Sequence, residues 1–333
     1  MGWCMMNKIL SISVAAYNVE DVIEKCLDSF VNSKYLDDIE ILVINDGSKD
    51  STEKIVNRYH QMYPQSIFLV NKENGGHGST INKSICLACG KYFKIVDGDD
   101  WVDSDEFDGF IEELFICEAD LMINDYNKVY TDRISRVNVI GSYSLNNVSD
   151  IKQMDLSKIF PMHSITVRTE KLRQNSFRMS SNRFYADTEY VFFVLSVVKN
   201  FQVSEKCIYQ YRLGVEGQSV SSSGLYRHIE DMLYIEGRLI DEYMNYENHS
   251  NGDIIEKFLS DKYILIFHWF VMMERGDKIG KLKEFDETIR KKYPYFIKNI
   301  NFGKYGLVKY NYSFFISLYR MLHKLRLLLN KLV

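Results

Sequence analysis

Over its first 124 residues the chain repeats one pattern, a short apolar run followed by a helical stripe, and few folds accommodate it. Residues 9–16 (ILSISVAA), 39–45 (IEILVIN), 67–70 and 92–96 are β-branched or aromatic and nearly continuously apolar. Such runs suit strands buried on both faces. Between the first two, Val22, Ile23, Cys26, Leu27, Phe30 and Val31 fall at helical spacing within 19–31. Ile55, Val56, Tyr59 and Met62 mark the next helix, with Asp50 and Glu53 spaced as a capping box. A glycine-rich loop at 74–79 leads to a helix at 80–87, residues 107–115 read as helix, and 120–124 (DLMIN) as a fifth strand. This alternation predicts an α/β fold, a mainly parallel sheet with helices on both faces. Ligands of such sheets bind beyond the carboxyl ends of the strands.

The conspicuous polar groups fall on that rim: Tyr17-Asn18 after the first strand, Asp46 after the second, and Asp97, Asp99 and Asp100 after the fourth. Three carboxylates in four positions repel one another. Asp97 and Asp99 lie two apart and so point to one side of an extended segment. Hard oxygens in this arrangement suit Mg2+ or Mn2+ bridging to substrate phosphates; DGDD is also ordinary turn chemistry. Gly98 lets the backbone approach whatever is bound. A metal here implies a nucleotide diphosphate. Asp46 can accept a hydrogen bond from its base or ribose, and the backbone at Ala15–Tyr17 can pack on the base. Asp187 and Glu189 begin an apolar helix at 190–198; Asp187 is a candidate general base there or a plain helix cap.

Beyond 124 the pattern weakens. Residues 126–136 and 137–143 read as an antiparallel pair, 165–167 as a strand, 170–174 as a helical turn, and 202–204 and 207–212 as two strands. The remainder reads as helices at 228–243, 254–273, 278–291 and 312–329. The division expected is residues 1–222 and a helical region, 223–333. Residues 303–333 carry six basic and no acidic side chains, which leaves −10 on the rest of a chain whose net charge is −4. Phe314, Phe315, Leu318, Tyr319, Leu322, Leu325 and Leu329 fall on one broad helical face, suited to packing on the body or to peripheral contact with an anionic membrane.

The net charge gives no argument for a nucleic-acid partner. Six cysteines are scattered through apolar runs, and Cys86-Leu-Ala-Cys89 reads as helix core, since no second pair or histidine pair matches it. The N-terminal MGWCMMNK lacks a signal-peptide apolar core. The longest apolar run, 263–273, has 11 residues, so no transmembrane helix is expected. The expected location is the cytoplasm, peripheral to the inner face of the membrane.

Taken in order, these residues resemble the family 2 inverting glycosyltransferases of the GT-A fold, of bacterial polysaccharide type. The matching stretches are VAAYN (14–18), INDGSKDST (44–52), VDGDDW (96–101), FYADTEY (184–190) and YQYRLGVEGQSVS (209–221), together spanning about residues 8–222. The resemblance implies a GT-A domain over 1–222. It implies a nucleotide site at Ala15, Tyr17, Asn18, Asp46, Gly75 and Asp97, with Asp46 on the uracil or ribose. Asp99 is the implied main metal ligand, assisted by Asp97 and Asp100. His77, Asp100, Arg212 and Ser219 are implied at the sugar or diphosphate, and Asp187 as catalytic base. The implied cofactor is Mg2+ or Mn2+, the donor a UDP-sugar, and the acceptor a glycan or lipid-linked saccharide. Two positions depart from the pattern: Ala16 stands where proline is common, and Ala186 where an acidic residue often precedes the base. A sugar nucleotidyltransferase would need a glycine-rich basic loop after the first strand, where AAYNVED is acidic. A nucleotide-binding module without activity is expected to lack Asp99 or Asp187, and both are present.

Overall fold

The computed structural model describes residues 8–141, 143–145, 147–155, 161–174, 176–214, 222–245, 251–273 and 277–329. The chain divides into two compact units, Met1–Val215 and Glu216–Val333.

The first unit opens with β1 (Leu10–Ala16), α1 (Ile23–Val31), β2 (Ile39–Asn45), α2 (Thr52–Met62), β3 (Ile67–Asn71), α3 (His77–Leu87) and β4 (Tyr92–Asp97). It continues with β5 (Trp101–Val102), α4 (Ser104–Ile116), β6 (Leu121–Val129), β7 (Ile134–Val137), β8 (Ser149–Asp150) and β9 (Ile165–Arg168), then α5 (Thr169–Arg173), α6 (Ala186–Val197) and β10 (Asn200–Arg212). The strands form one ten-stranded sheet whose main path runs β3-β2-β1-β4-β9-β6-β10-β5, with β7 on β6 and β8 on β10. Every residue of β2 is buried, because the strand lies inside the sheet. The outer strand β3 leaves most of its residues partly open.

The sheet is mixed, and its parallel part is the larger. Strands β3, β2, β1 and β4 are parallel, as is the pair β6–β10. β9 is antiparallel to both β4 and β6, and β5, β7 and β8 also pair antiparallel. The hairpin expected over 126–143 is β6 turning back as β7 near Tyr130 and Arg133, whose backbones bond at 2.9 Å. β10 is one strand, with its register shifted between Ser204 and Tyr209, where two strands were expected. A shift of this kind bends a strand without ending it.

Three local expectations change. Glu53 does not complete a capping box; it accepts from Asn71, while Asp50 accepts from the Thr52 N–H. Helix α3 starts at His77, so this histidine is helical and Gly76 (φ +77°) makes the turn into it. Cys86 is exposed and Cys89 lies past the end of α3, both as free thiols, so neither is helix core.

The second unit contains α7 (Ser222–Asn245), α8 (Gly252–Met272), α9 (Ile279–Lys292), α10 (Pro294–Asn299), a 3-10 stretch (Gly303–Tyr310) and α11 (Tyr312–Leu329). Buried Asp286 on α9 ties three helices together. Tyr263 of α8 and Tyr312 of α11 donate to it at 2.6 and 2.5 Å, and Arg290 pairs with it at 2.9 Å. Of the apolar face expected on α11, Phe314 and Leu322 are exposed and Phe315, Leu318 and Tyr319 half-buried, whereas the buried residues are Tyr312 and Ile316, outside that face. Among the described residues, no helix is long and apolar enough to cross a membrane.

Candidate active site

The first rim segment is stitched to the second. Asn18, in left-handed backbone (φ 52°), donates its N–H to Ser48 Oγ at 3.0 Å and accepts the Lys49 N–H at 2.8 Å. Asparagine tolerates that backbone better than most residues. The Val19 N–H reaches Thr52 Oγ1 and the Glu20 N–H reaches Asp50. Asn18 thus fixes the loop that carries Asp46, while Tyr17 beside it is half exposed.

Asp46 is buried, and its carboxylate accepts from the Gly75 N–H (2.9 Å), the Gly76 N–H (2.8 Å) and Lys72 Nζ (2.5 Å). Lys72 also donates to Ser79 Oγ at 2.9 Å. The glycine-rich loop is therefore folded around Asp46. On its other side it meets the segment leading to α6. The Gly75 carbonyl accepts the Asn182 N–H at 2.7 Å, and a Cβ on Gly78 would stand 2.3 Å from the Ser180 carbonyl oxygen. Here glycine is required by close backbone approach.

The fourth rim segment carries the acids. Gly98 gives its N–H to Ala15 O at 3.0 Å, and a Cβ there would stand 2.7 Å from that oxygen. Contact with β1, rather than with a ligand, accounts for glycine at 98. Asp100 is buried. Its two oxygens are taken by the Tyr209 hydroxyl (2.5 Å) and the Arg212 N–H (2.8 Å), which fasten this turn to β10. Burial, reinforced by the charges of Asp97 and Asp99, holds its carboxyl well above the usual carboxylate range. Trp101 carries Lys25 Nζ over its ring at 3.2 Å from the centroid.

Asp97 and Asp99 are half-buried. His77 Nε2 stands 3.0 Å from Asp97 Oδ1, an ion pair when the imidazole is protonated. Burial works against the imidazolium, but Asp97, with Asp187 and Asp99 beyond it, raises the histidine above its ordinary value. Asp97 is correspondingly lowered, because the pull of His77 outweighs its burial. Asp99 is raised by burial and by Asp97, and eased by Arg212. Two carboxylates sharing one wall in this state fit a divalent ion that draws its remaining ligands from substrate phosphates and water. Among the described residues, no three His, Cys, Asp or Glu are gathered to hold a metal by themselves.

Asp187 and Glu189 have separate positions. Glu189 is fully buried and accepts both the Ser180 N–H (2.6 Å) and the Ser180 hydroxyl (2.8 Å). It builds the segment beside the glycine loop and is closed to a substrate. Asp187, two residues earlier in the first turn of α6, is exposed. Its charge is felt at His77 together with those of Asp97 and Asp99, and at Tyr211 together with those of Asp97, Asp99 and Asp100. The structure thus brings together Ala15, Asn18, Asp46, Gly75, His77, Asp97, Asp99, Asp100, Asp187 and Arg212 around the carboxyl ends of β1, β2 and β4. Ser219 lies outside the described residues.

Three participants carry no sequence signal of their own. His163 stacks on Tyr211 at 4.7 Å and lies 4.9 Å from Tyr209, and burial brings its imidazole down to about 4. Lys94, fully buried in β4, donates to the carbonyls of His163 (2.9 Å) and Ile165 (3.4 Å), and burial lowers its ammonium to about 7. Lys72, next to the glycine loop, joins Asp46 to Ser79.

Residues 11–161 match the family model described as Glycosyl transferase family 2. The minor teichoic acid biosynthesis protein GgaB of Bacillus subtilis is 27% identical over 64% of this chain and 24% of its own length. Among solved structures, S. aureus TarS 1-349 in complex with UDP-GlcNAc superposes with a TM-score of 0.68 at 18% identity, covering 94% of this chain and 89% of that one. The mannosyltransferase PcManGT of Pyrobaculum calidifontis, in complex with GDP-Man and Mn2+, gives 0.54 at 14% identity over 95% and 88%. These likenesses establish the GT-A fold. The chain spans 17–37% of the length of the first curated relatives it matches.

Proposed function

We propose that the chain, whose residues 11–161 match the family 2 glycosyl transferase model, is an inverting transferase. On this reading it moves a sugar from a nucleotide diphosphate, most simply a UDP-sugar, to a hydroxyl of a glycan or lipid-linked saccharide in cell-surface polysaccharide synthesis. The reading is supported by the exposed carboxylate of Asp187, in the first turn of α6, whose charge acts on the same two groups, His77 and Tyr211, as the charges of Asp97 and Asp99 at the end of β4. A displacement at an anomeric carbon needs this division, a leaving-group side and a proton-accepting side. The solved complex of TarS with UDP-GlcNAc and the name of GgaB suggest the donor and acceptor classes.

Asp99, with Asp97 beside it, would hold Mg2+ or Mn2+ through carboxylate oxygens. When bound, such an ion neutralises charge on a departing diphosphate. The chain's own residues do the rest. Asp187 takes the proton from the acceptor hydroxyl as that oxygen bonds to the anomeric carbon and the bond to the diphosphate oxygen breaks. The configuration is inverted. Asp46, Gly75 and the backbone at Ala15–Asn18 line the nucleotide side, and His77, Asp100 and Arg212 the sugar and diphosphate side. Asp46 and Asp100 act there largely by holding loops, because their oxygens are already engaged by the protein. The β1 loop, with Glu20 and Asp21, offers no basic cradle for a triphosphate, which weighs against a nucleotidyltransferase. The substrates suit the cytoplasm, at the inner face of the membrane.

The test is a thermal-shift panel of UDP-, GDP- and CDP-sugars with Mn2+, Mg2+ or EDTA, followed by transfer assays and NMR of the product anomer. Stabilisation by one nucleotide class that EDTA cancels, and an inverted product, are expected. No shift with any nucleotide, or a retained anomer, overturns the reading.

A further inference from the structure

Helix α11 has two apolar faces, and the second unit uses one of them. The inner face is fastened. Tyr312 donates to buried Asp286, Ile316 is fully buried, and Arg320 donates to the carbonyls of Phe270 (2.7 Å) and Val271 (3.4 Å) in the last turn of α8. On the other face Phe314, Met321 and Leu322 are 58%, 53% and 49% exposed. They stand seven and eight residues apart, and so form one stripe along the helix. Leu307 and Tyr310, just upstream, are exposed as well. Single exposed apolar residues are ordinary, but a stripe of large ones along a helix marks a surface that meets something.

Charge identifies the kind of partner. Residues 303–333 carry six basic and no acidic side chains. A second copy of this chain meeting the stripe across a two-fold axis would bring two such segments together, and they would repel. An anionic lipid surface supplies both an apolar layer and negative headgroups. We infer that α11 lies flat on an anionic bilayer, inserting Phe314, Met321 and Leu322 at the headgroup–acyl boundary. The bonds of Tyr312 and Arg320 hold the opposite face on the protein, so the helix lies along the surface and does not cross it. The inference is independent of the nucleotide reading, and failure of either leaves the other standing.

Vesicle flotation of the full chain tests it. Vesicles of phosphatidylcholine alone are compared with vesicles that also contain phosphatidylglycerol, at low salt and at about 0.5 M salt. The comparison variant combines Phe314→Ser, Met321→Gln and Leu322→Gln, all at exposed positions, with its fold checked by circular dichroism and its UDP binding by thermal shift. The wild type should float with the anionic vesicles, less so in high salt, and not with phosphatidylcholine alone. The triple variant should bind those vesicles at least about tenfold more weakly. Equal flotation of variant and wild type, or no flotation of the wild type at low salt, overturns the inference. So does a wild-type dimer, by light scattering, that fails to float and that the variant turns into monomers, since a second copy would then cover the stripe.

Discussion

The Tyr209 hydroxyl donates to Asp100 Oδ2 at 2.5 Å, and the Tyr209 hydroxyl oxygen itself accepts the Asp97 N–H at 3.3 Å. One phenol near the end of β10 therefore sets two of the three acids at the end of β4. Tyr209→Phe leaves the buried Asp100 oxygen without its partner, a loss of about 1–3 kcal/mol. Chemical denaturation should show that loss. Metal-dependent nucleotide binding should weaken with it, because Asp97 and Asp99 ride on the same turn. Unchanged stability would mean that Asp100 is not held through this hydroxyl.

Asp99→Ala should remove most of the metal-dependent stabilisation by UDP. Ligand at about 100 times its dissociation constant raises stability by roughly 2.7 kcal/mol, which a melting curve resolves. UDP affinity equal to wild type in the variant, with and without metal, would remove Asp99 from the metal site.

Asp187→Asn should keep donor affinity and lower transfer to acceptor by about 10²–10⁴-fold, the usual contribution of a general base. Glu189→Gln should act differently, because Glu189 holds the Ser180 segment from a fully buried position. Its effect should appear first in the melting temperature. Near-normal turnover by Asp187→Asn would break the proposed division of roles.

Lys94 sets a pH signature. Its ammonium titrates near 7 in the folded chain and near 10.5 in the free side chain. Between those values the unfolded chain binds a proton that the folded chain does not, so stability rises with pH through that window. The contribution is complete above 10.5 and lost as pH falls through about 7. Its steepest slope is about 1.4 kcal/mol per pH unit. Urea unfolding of wild type and Lys94→Met across about pH 6 to 9 should show the rise in the wild type only. Parallel curves would mean that Lys94 stays charged when folded.

The parallel half of the sheet and the rim acids were legible in the sequence because their signals are local. A run such as IEILVIN declares a buried strand, and DGDD declares itself wherever it sits. Of the antiparallel part, the strand at 165–167 and a hairpin after 126 were legible, but β5 and β8 were not, because they have two residues each, too few for a period. Asp187 was set apart from Glu189 chiefly by the family resemblance, not by the local pattern. Buried residues surround most of α6, so its composition does not reveal which side faces the site. Lys94 and His163 are single polar residues among apolar neighbours, and only the fold shows what they meet.

β10 has a further consequence, for divisibility. It enters the sheet between β6 and β5, and its last residues hold Asp100. The stretch that matches the family model ends at 161, before β9, α6 and β10. A protein cut there would retain Asp97 and Asp99. It would lose the carbonyls that receive Lys94, both partners of Asp100, and Asp187 itself. The proposed donor side and acceptor side are thus not two modules joined by a linker. A chimera that grafts residues 11–161 onto another acceptor domain should unfold, whereas an exchange made beyond Arg212 leaves every one of these contacts within a single parent.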